Sequence, residues 1–413
     1  MRSSTFASPP LPASTAATLF EGRGNAGVGK ARALSQDDLI GLVARSGLRG
    51  RGGAGYPLAD KLRAVVAAAK DGREPLLVAN AYDADPGSPL SRTLITRARA
   101  NVLQGVAIAA HAIGAREAII YMHPEAEAER RSMDEDIVVR REGLAPLSVT
   151  TALGPGGFMG GEESALMNVL ESKRAMARQR PPFPAENGVN TRPTLIASAE
   201  TLAWLPQIVD SGAAADTKLV SVTGAVRAPG VYEVALGTTL GEILDRAGGP
   251  LGELKGIHVG GPTGGIISAT RRGVPFDFDD LKAAGTHMGS GQVRAIPINA
   301  CIVGEAAKLF AYLAKETCGI CVPCRVGTAR VTGILESVQS GLGRDGDTAW
   351  LGELGDHMEK FSLCGFGITA PSILRTTMWE FAEDYRRHIE DRRCPTGVCT
   401  PVRARRYETM VQP

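Results

Sequence analysis

The chain has 413 residues, long enough for two to four domains that each bury a core. Its 46 basic and 44 acidic residues leave a net charge of +2, which excludes a global field for nucleic acid or an anionic membrane; partners must be recognised locally. Seven cysteines, three of them outside a single four-cysteine set, argue against a secreted disulfide framework and place the chain by default in the reducing cytoplasm, dissolved or peripheral to a membrane complex.

No run approaches the ~18 apolar residues of a membrane-spanning helix, and the longest, around Val102 to Ile113, is broken by Gln104, Gly105 and His111. Residues 1–30, rich in Ser, Pro, Ala and Gly, read as a flexible tail without the apolar core of a signal peptide. An α/β domain is expected over 31–217. Ser35-Gln-Asp-Asp38 reads as a helix N-cap with an acid at the third position, and the helix should stop near Gly47. Next comes Gly47-Leu-Arg-Gly-Arg-Gly-Gly-Ala-Gly-Tyr-Pro57, with five glycines in nine residues. Such a loop lets backbone N–H groups crowd around a phosphate while Arg49, Arg51 or Lys61 neutralises it; alone, it reads equally as a linker.

Leu76 to Asn80 is a short apolar strand, Arg92 to Ile113 a long helix and Ala118 to Met122 a second strand, the β-loop-α-β order of a parallel sheet. Ile137 to Arg140 and Ser148 to Thr150 continue as extended segments. The polar stretch Asn80-Ala-Tyr-Asp-Ala-Asp-Pro-Gly87 stands at the strand end where open α/β sheets bind ligands. A second glycine-rich loop, Gly154 to Gly161, runs into Glu162 and Glu163 at a helix start. Those acids either complement the helix dipole or bond a nucleotide's ribose or amide groups. Arg180-Pro-Pro-Phe-Pro184 is a rigid segment able to wall a pocket.

From Lys218 the composition changes. Leu219 to Val234 reads as two strands about an Ala-Pro-Gly turn and Thr239 to Ala247 as a helix, a small β-grasp domain over 218–298. Four helices follow over 299–390, namely Ala306 to Glu316, Thr328 to Ser340, Leu351 to Phe361 and Pro371 to Ile389. In Glu316-Thr-Cys-Gly-Ile-Cys-Val-Pro-Cys-Arg325, Cys318, Cys321 and Cys324 recur every three residues, so one loop can offer three thiolates to a [4Fe–4S] cluster that Cys364 completes. A structural zinc site usually draws on two C-x2-C knuckles, and only one compact group is present. Cys301 reads as a small buried apolar residue. In the expected tail over 391–413, Cys394 and Cys399 read as a remnant, or as ligands completed by a partner chain. The six histidines are scattered.

These stretches together resemble the flavin-bearing, NADH-oxidising subunit of respiratory complex I and its relatives in NAD(P)-linked hydrogenases and formate dehydrogenases. The resemblance is carried by Gly47 to Pro57 with Lys61, Asn80-Ala with Pro86-Gly87 and Arg92, Gly161-Glu-Glu163, Pro181 to Pro184, Glu200-Thr-Leu202, Val222 to Val234, and the cysteines 318, 321, 324 and 364, collinear over 45 to 390. It implies a Rossmann-like flavin domain, a soluble-ligand-binding β-grasp (SLBB) domain and a helical cluster domain. It implies flavin mononucleotide (FMN) held by Gly50, Arg51, Gly52, Gly53, Lys61, Asn80, Asp83, Asp85, Phe158, Gly161, Ala197 and Ser198. NADH would stack on the flavin with Tyr56 and Phe183 near the adenine, Glu162 and Glu163 beside flavin and nicotinamide, and Glu163 and Asp85 at the reacting centre. The partners implied are a thioredoxin-like [2Fe–2S] subunit and a larger iron–sulfur or catalytic subunit.

The chain departs from the family pattern at the cofactor positions. Tyr82 replaces an acid, Asp83 and Asp85 replace glutamates, Ala197-Ser198 replaces Asn-Asn, Gly160 replaces Cys, and Leu62 and Ala64 stand where an aromatic pair is expected. The leading expectation is an electron-input subunit that oxidises NADH. The alternatives are a flavin-less paralogue relaying electrons through its cluster, and a flavoprotein with another donor.

Overall fold

The computed structural model describes residues 19–20 and 26–399, so most of the expected tail over 1–30, including its start, and residues 400–413 lie outside the described residues. Within that expected tail, Ala26–Arg32 is a helix, and Leu19 is buried with its N–H on both carboxylate oxygens of Glu233 at 3.0 Å. The chain divides into two compact units, one of residues 1–221 with 231–236, the other of 222–230 with 237–413.

The first unit is built on a four-stranded parallel sheet of β1 (Leu76–Ala81), β2 (Glu117–Met122), β3 (Ser148–Leu153) and β4 (Thr194–Ser198), in the order β3-β2-β1-β4. The central strand β1 is an apolar run because both of its faces are covered. Leu77 and Ala79 share a core with helix Leu90–Ile113, whereas Leu76 and Val78 pack with Tyr82, Tyr121 and Leu166. Ser35 caps helix Gln36–Arg45 as expected, its Oγ accepting from the Asp38 N–H at 3.1 Å. The extended segment expected at Ile137 to Arg140 is instead the end of helix Glu127–Val139. Arg130 ties Glu127 and Asp134 along that helix, Arg131 also reaches Glu127, and Val138 and Val139 project into solvent. Ion pairs at helical spacing thus override the local β preference of two valines.

Strand β5 (Thr217–Gly224) begins in the first unit and ends in the second; β6 (Gly230–Ala235) lies largely in the first. In the second unit β7 (Leu254–Val259) pairs antiparallel with β8 (Gly265–Ser268) and with β9 (Gln292–Pro297). The helix expected at Thr239 to Ala247 is Leu240–Arg246, with a complete capping box of Thr239 and Glu242. Helices Ile302–Glu316, Val322–Gln339, Asp347–Phe361, Gly365–Thr369, Ser372–Glu380 and Ala382–Ile389 follow, so the last expected helix is broken at Phe381. Sheet and helices share a core in this unit, where Ile266 and Ile296 meet Ile302 and Phe381. The Ile266 N–H bonds Thr376 Oγ1 at 3.0 Å, and Lys255 pairs with Asp384 at 2.5 Å.

Candidate functional site

In the order β3-β2-β1-β4 the connections from β1 lead one way through β2 and β3, and β4 lies on the other side. The switch point therefore falls between β1 and β4, and the crevice at their carboxyl ends is where an open parallel sheet binds its ligand. Asn80 and Ser198 face each other there in register.

The glycine loop at this crevice is an ordered cradle rather than a linker. The Gly50 N–H bonds the Tyr56 carbonyl at 2.8 Å, the Leu58 N–H bonds Leu48 at 3.0 Å, and Arg49 Nε reaches Gly55 at 2.8 Å. Arg51 turns its side chain inward. It is 1% exposed, its guanidinium donates to the Ala215 carbonyl at 2.7 Å, and its N–H bonds Thr201 Oγ1 at 2.8 Å. It anchors the loop to the end of β4. A Cβ on Gly52 would lie 3.8 Å from Ser198 Cβ, so loop backbone and strand end adjoin.

Lys61 supplies the cation, its Nζ on Glu163 Oε1 at 3.1 Å and on the Ile196 carbonyl at 3.1 Å. The two adjacent acids have different tasks. Glu162 caps helix Glu163–Leu170, accepting from the Ser164 and Ala165 N–H groups at 2.9 and 2.8 Å while Arg180 holds its other oxygen at 2.5 Å. Glu163, one residue on, turns to Lys61. Asn80 Nδ2 donates to the Gly161 carbonyl at 3.0 Å, joining β1 to the second glycine loop, within which Phe158 precedes the turn Met159–Gly161. Asp83 is committed to the long helix, accepting from the Ser91 and Arg92 N–H groups at 2.6 and 3.0 Å, and burial pushes its carboxyl up. Asp85 is buried, Ala197 is 8% exposed in β4, and the Ser198 hydroxyl caps the following helix through Thr201. Glu200 is buried on Lys218 at 2.6 Å. Tyr56 and Phe183 are both half-exposed.

Tyr82 does not enter the crevice. It stacks on Tyr121 at 5.4 Å and donates its hydroxyl to the Gly157 carbonyl at 2.9 Å, under the second glycine loop. A Cβ on Gly160 would collide with the Tyr82 hydroxyl, and one on Gly161 would lie 2.9 Å from Tyr82 Cδ1. Backbone amides without side chains, an ammonium, a carboxamide and a carboxylate thus converge at the switch point, a donor set that fits a flat, phosphate-bearing cofactor such as FMN.

In the second unit Cys318 follows helix Ile302–Glu316, Cys321 is the N-cap of Val322–Gln339, Cys324 lies in its first turn, and Cys364 is the N-cap of Gly365–Thr369. Gly319 at φ 80 turns the loop, and Arg325 closes it by donating to the Gly319 carbonyl at 2.5 Å. A Cβ on Gly367 would lie 2.9 Å from Cys324 Cβ, so glycine there is what lets the short helix bring its N-cap towards Cys324. The Cys324 thiol is pushed up to about 11, chiefly by burial, which a hydrogen bond with Thr317 opposes and the nearby Cys321 and Cys318 sulfurs assist. Thiols raised in this way lose their protons when a cationic centre binds, and the four-cysteine set fits a [4Fe–4S] cluster.

A second sulfur group is one that sequence reasoning missed. Cys301, His388, Cys394 and Cys399 place their ligand atoms within 4.8 Å of one another. Cys301 is buried as expected but is not alone, and the companions expected from a partner chain for Cys394 and Cys399 are offered by Cys301 and His388 of this chain. The Cys399 thiol is drawn down by hydrogen bonds, first with Cys301 and then with His388, against the effect of burial. The signal in the chain was the spacing His-x5-Cys-x4-Cys at 388, 394 and 399; Cys301, 87 residues before His388, carried none.

Three family models match in chain order: the Nuo51 FMN-binding domain over 43–207, the SLBB domain over 219–266, and the NADH-ubiquinone oxidoreductase-F iron–sulfur binding region over 304–388. The HndC component of the NADP-reducing hydrogenase of Solidesulfovibrio fructosivorans is 33% identical over 92% of this chain and 81% of its own length. The second F component of the NADH-quinone oxidoreductase of Rhizobium meliloti is 36% identical over 87% of this chain and 90% of its own. An NAD+-reducing [NiFe]-hydrogenase solved in the H2-reduced state superposes with a TM-score of 0.80 at 30% identity, covering 95% of this chain and 68% of that one. With its flavin-type cradle, its SLBB strands and its helix-borne cysteines in the same order, the chain belongs to the family of F components of NADH-quinone oxidoreductase and their counterparts in NAD(P)-reducing hydrogenases.

Proposed function

We propose that this chain is the electron-input subunit of a multi-subunit oxidoreductase, taking electrons from NADH and passing them to a partner iron–sulfur subunit. The observation that carries the reading is the convergence of the glycine loop, Lys61, Asn80 and Glu163 at the β1/β4 switch point of a chain that also holds the cysteine quartet. When bound, FMN would take a hydride and release its electrons singly, as a one-electron cubane requires. The loop amides and Lys61 would hold the phosphate-bearing cofactor, Asn80 would fix the second glycine loop beneath it, and Tyr56 and Phe183 offer exposed rings for a base to stack on. Glu163 is oriented by Lys61, which supports its role beside the reacting centre, whereas Glu162 and Asp83 hold helix starts. Exposed Ile320, Val322 and Val326 beside the cluster loop support docking of a protein electron acceptor. We place that acceptor in the class of a small [2Fe–2S] subunit next to a larger catalytic one, on the cytoplasmic side.

The test is an optical spectrum of anaerobically purified protein, with flavin and iron quantified, before and after NADH. About one FMN and about four irons per chain, bleached by NADH, support the reading. Iron without flavin favours the relay alternative, for which Ala197 and the capping role of Ser198 are the supporting observations. In the same assay Glu163→Gln should slow bleaching by roughly 10²-fold with the cluster absorbance intact, the scale expected of a mispositioned reacting pair. A normal rate would remove Glu163 from the site.

A further inference from the structure

The second sulfur group has the composition and enclosure of a metal site, and it lies outside the cysteine quartet. Cys301 stands at the N-cap of helix Ile302–Glu316, His388 in the last turn of Ala382–Ile389, and Cys394 and Cys399 in the segment beyond it. Cys301, His388 and Cys399 are buried, with 5%, 2% and 8% exposure, and Cys394 is partly buried. We propose that Cys301, His388, Cys394 and Cys399 bind a single structural zinc ion.

Three features argue for one ion of this kind. Three sulfurs and one imidazole form the Cys3His set that zinc takes in closed tetrahedral sites. No two of the four donor atoms are more than 4.8 Å apart, with Cys301 Sγ 3.4 Å from His388 Nε2. A Zn–S bond of ~2.3 Å gives a tetrahedron whose edge is about 3.8 Å, so a small contraction seats the ion. A cubane would have to push the same ligands out to the corners of an eight-atom core, and the space between them suits one ion instead. The surroundings are also those of a ligating set. His388 Nδ1 lies 2.6 Å from the Asp384 carbonyl, which fixes the proton on that nitrogen and turns the lone pair of Nε2 to the sulfurs. The Gly304 N–H points at Cys301 Sγ at 3.3 Å, and the N–H groups of Thr396 and Cys399 point at Cys394. Amide donors of this kind hold the charge of metal-bound thiolates.

With four protein ligands the ion would have no open position, so its role is structural. It would tie the start of the first bundle helix, the end of the last one and the segment to Cys399 into one knot. Metal analysis of the anaerobically purified full chain tests this, with zinc and iron measured separately. The expected result is about one zinc alongside the iron of the quartet, with the zinc lost and the iron kept in a Cys394→Ser, Cys399→Ser double variant. If that variant does not fold, protein produced with cobalt in place of zinc supplies the readout. Intense tetrahedral d–d bands with thiolate-to-cobalt charge transfer are expected. Wild-type protein without zinc and without those cobalt bands, iron near eight per chain, or a disulfide within the group would each overturn the proposal. None of these readouts depends on flavin or NADH, so the proposal stands or falls apart from the functional reading.

Discussion

Tyr82 and Gly160 fill one space between them: the phenol lies where a side chain at 160 would stand, and its hydroxyl bonds the Gly157 carbonyl. Two departures from the family pattern are therefore one. Gly160→Ala should cost about 1–3 kcal/mol, the usual scale of overpacking a filled core. In a Tyr82→Asp background the same substitution should cost much less, because its collision partner is gone. Denaturant midpoints of the four proteins check this, and equal costs in both backgrounds would sink the coupling. The adjacent acids make the complementary point. Glu162 and Glu163 are indistinguishable by type and neighbourhood in the chain, yet one caps a helix and the other meets Lys61 across the crevice.

Among the elements, strand β7 of the second unit buries the His258 imidazole, and the loop before β9 holds that of His287 largely covered. His258 on β7 is pulled down to about 3, chiefly by burial and then by Arg294, and burial brings His287 to about 4. Both remain neutral in the fold, whereas in the unfolded chain they take up protons near pH 6.5. The unfolded state then binds more protons between pH 6.5 and about 4, so stability of this unit declines as pH falls through that window and gains nothing from these groups above it. The slope is at most ~1.4 kcal/mol per pH unit for each histidine. Urea midpoints at pH 7 and pH 5 should differ accordingly, and His258→Gln should flatten the difference; equal wild-type midpoints would refute the account. Elements were legible in the chain where burial agreed with local pattern. The apolar runs of β1 and β2 around the Leu90–Ile113 helix are such a case. They were misread at Val138 and Val139, where β-branched residues sit on the wet face of a helix stitched by Arg130. The cysteine quartet was readable because three ligands share one loop. The Cys301 and His388 pairing was not, because only the fold joins residues that distant. Likewise, nothing in the sequence Gly50-Arg-Gly52 says that the guanidinium between two glycines turns inward to Ala215.

For the whole molecule, the flavin-type cradle and the cysteine quartet belong to different compact units. Loading of one centre should therefore survive loss of the other. Cys321→Ala is expected to release the iron and to lower the melting temperature of the helical residues 302–389, since ligand binding there contributes to folding. Flavin content should be unchanged; loss of flavin together with iron would contradict this separation. The shared space of Tyr82 and Gly160 carries a historical consequence as well. A lineage that gained the tyrosine before losing the side chain at 160 would have passed through an overfilled intermediate, whereas losing the side chain first leaves only a small void. The order with glycine first is thus the passable one, and ancestors reconstructed along this branch should carry Gly160 beside the older acid at 82.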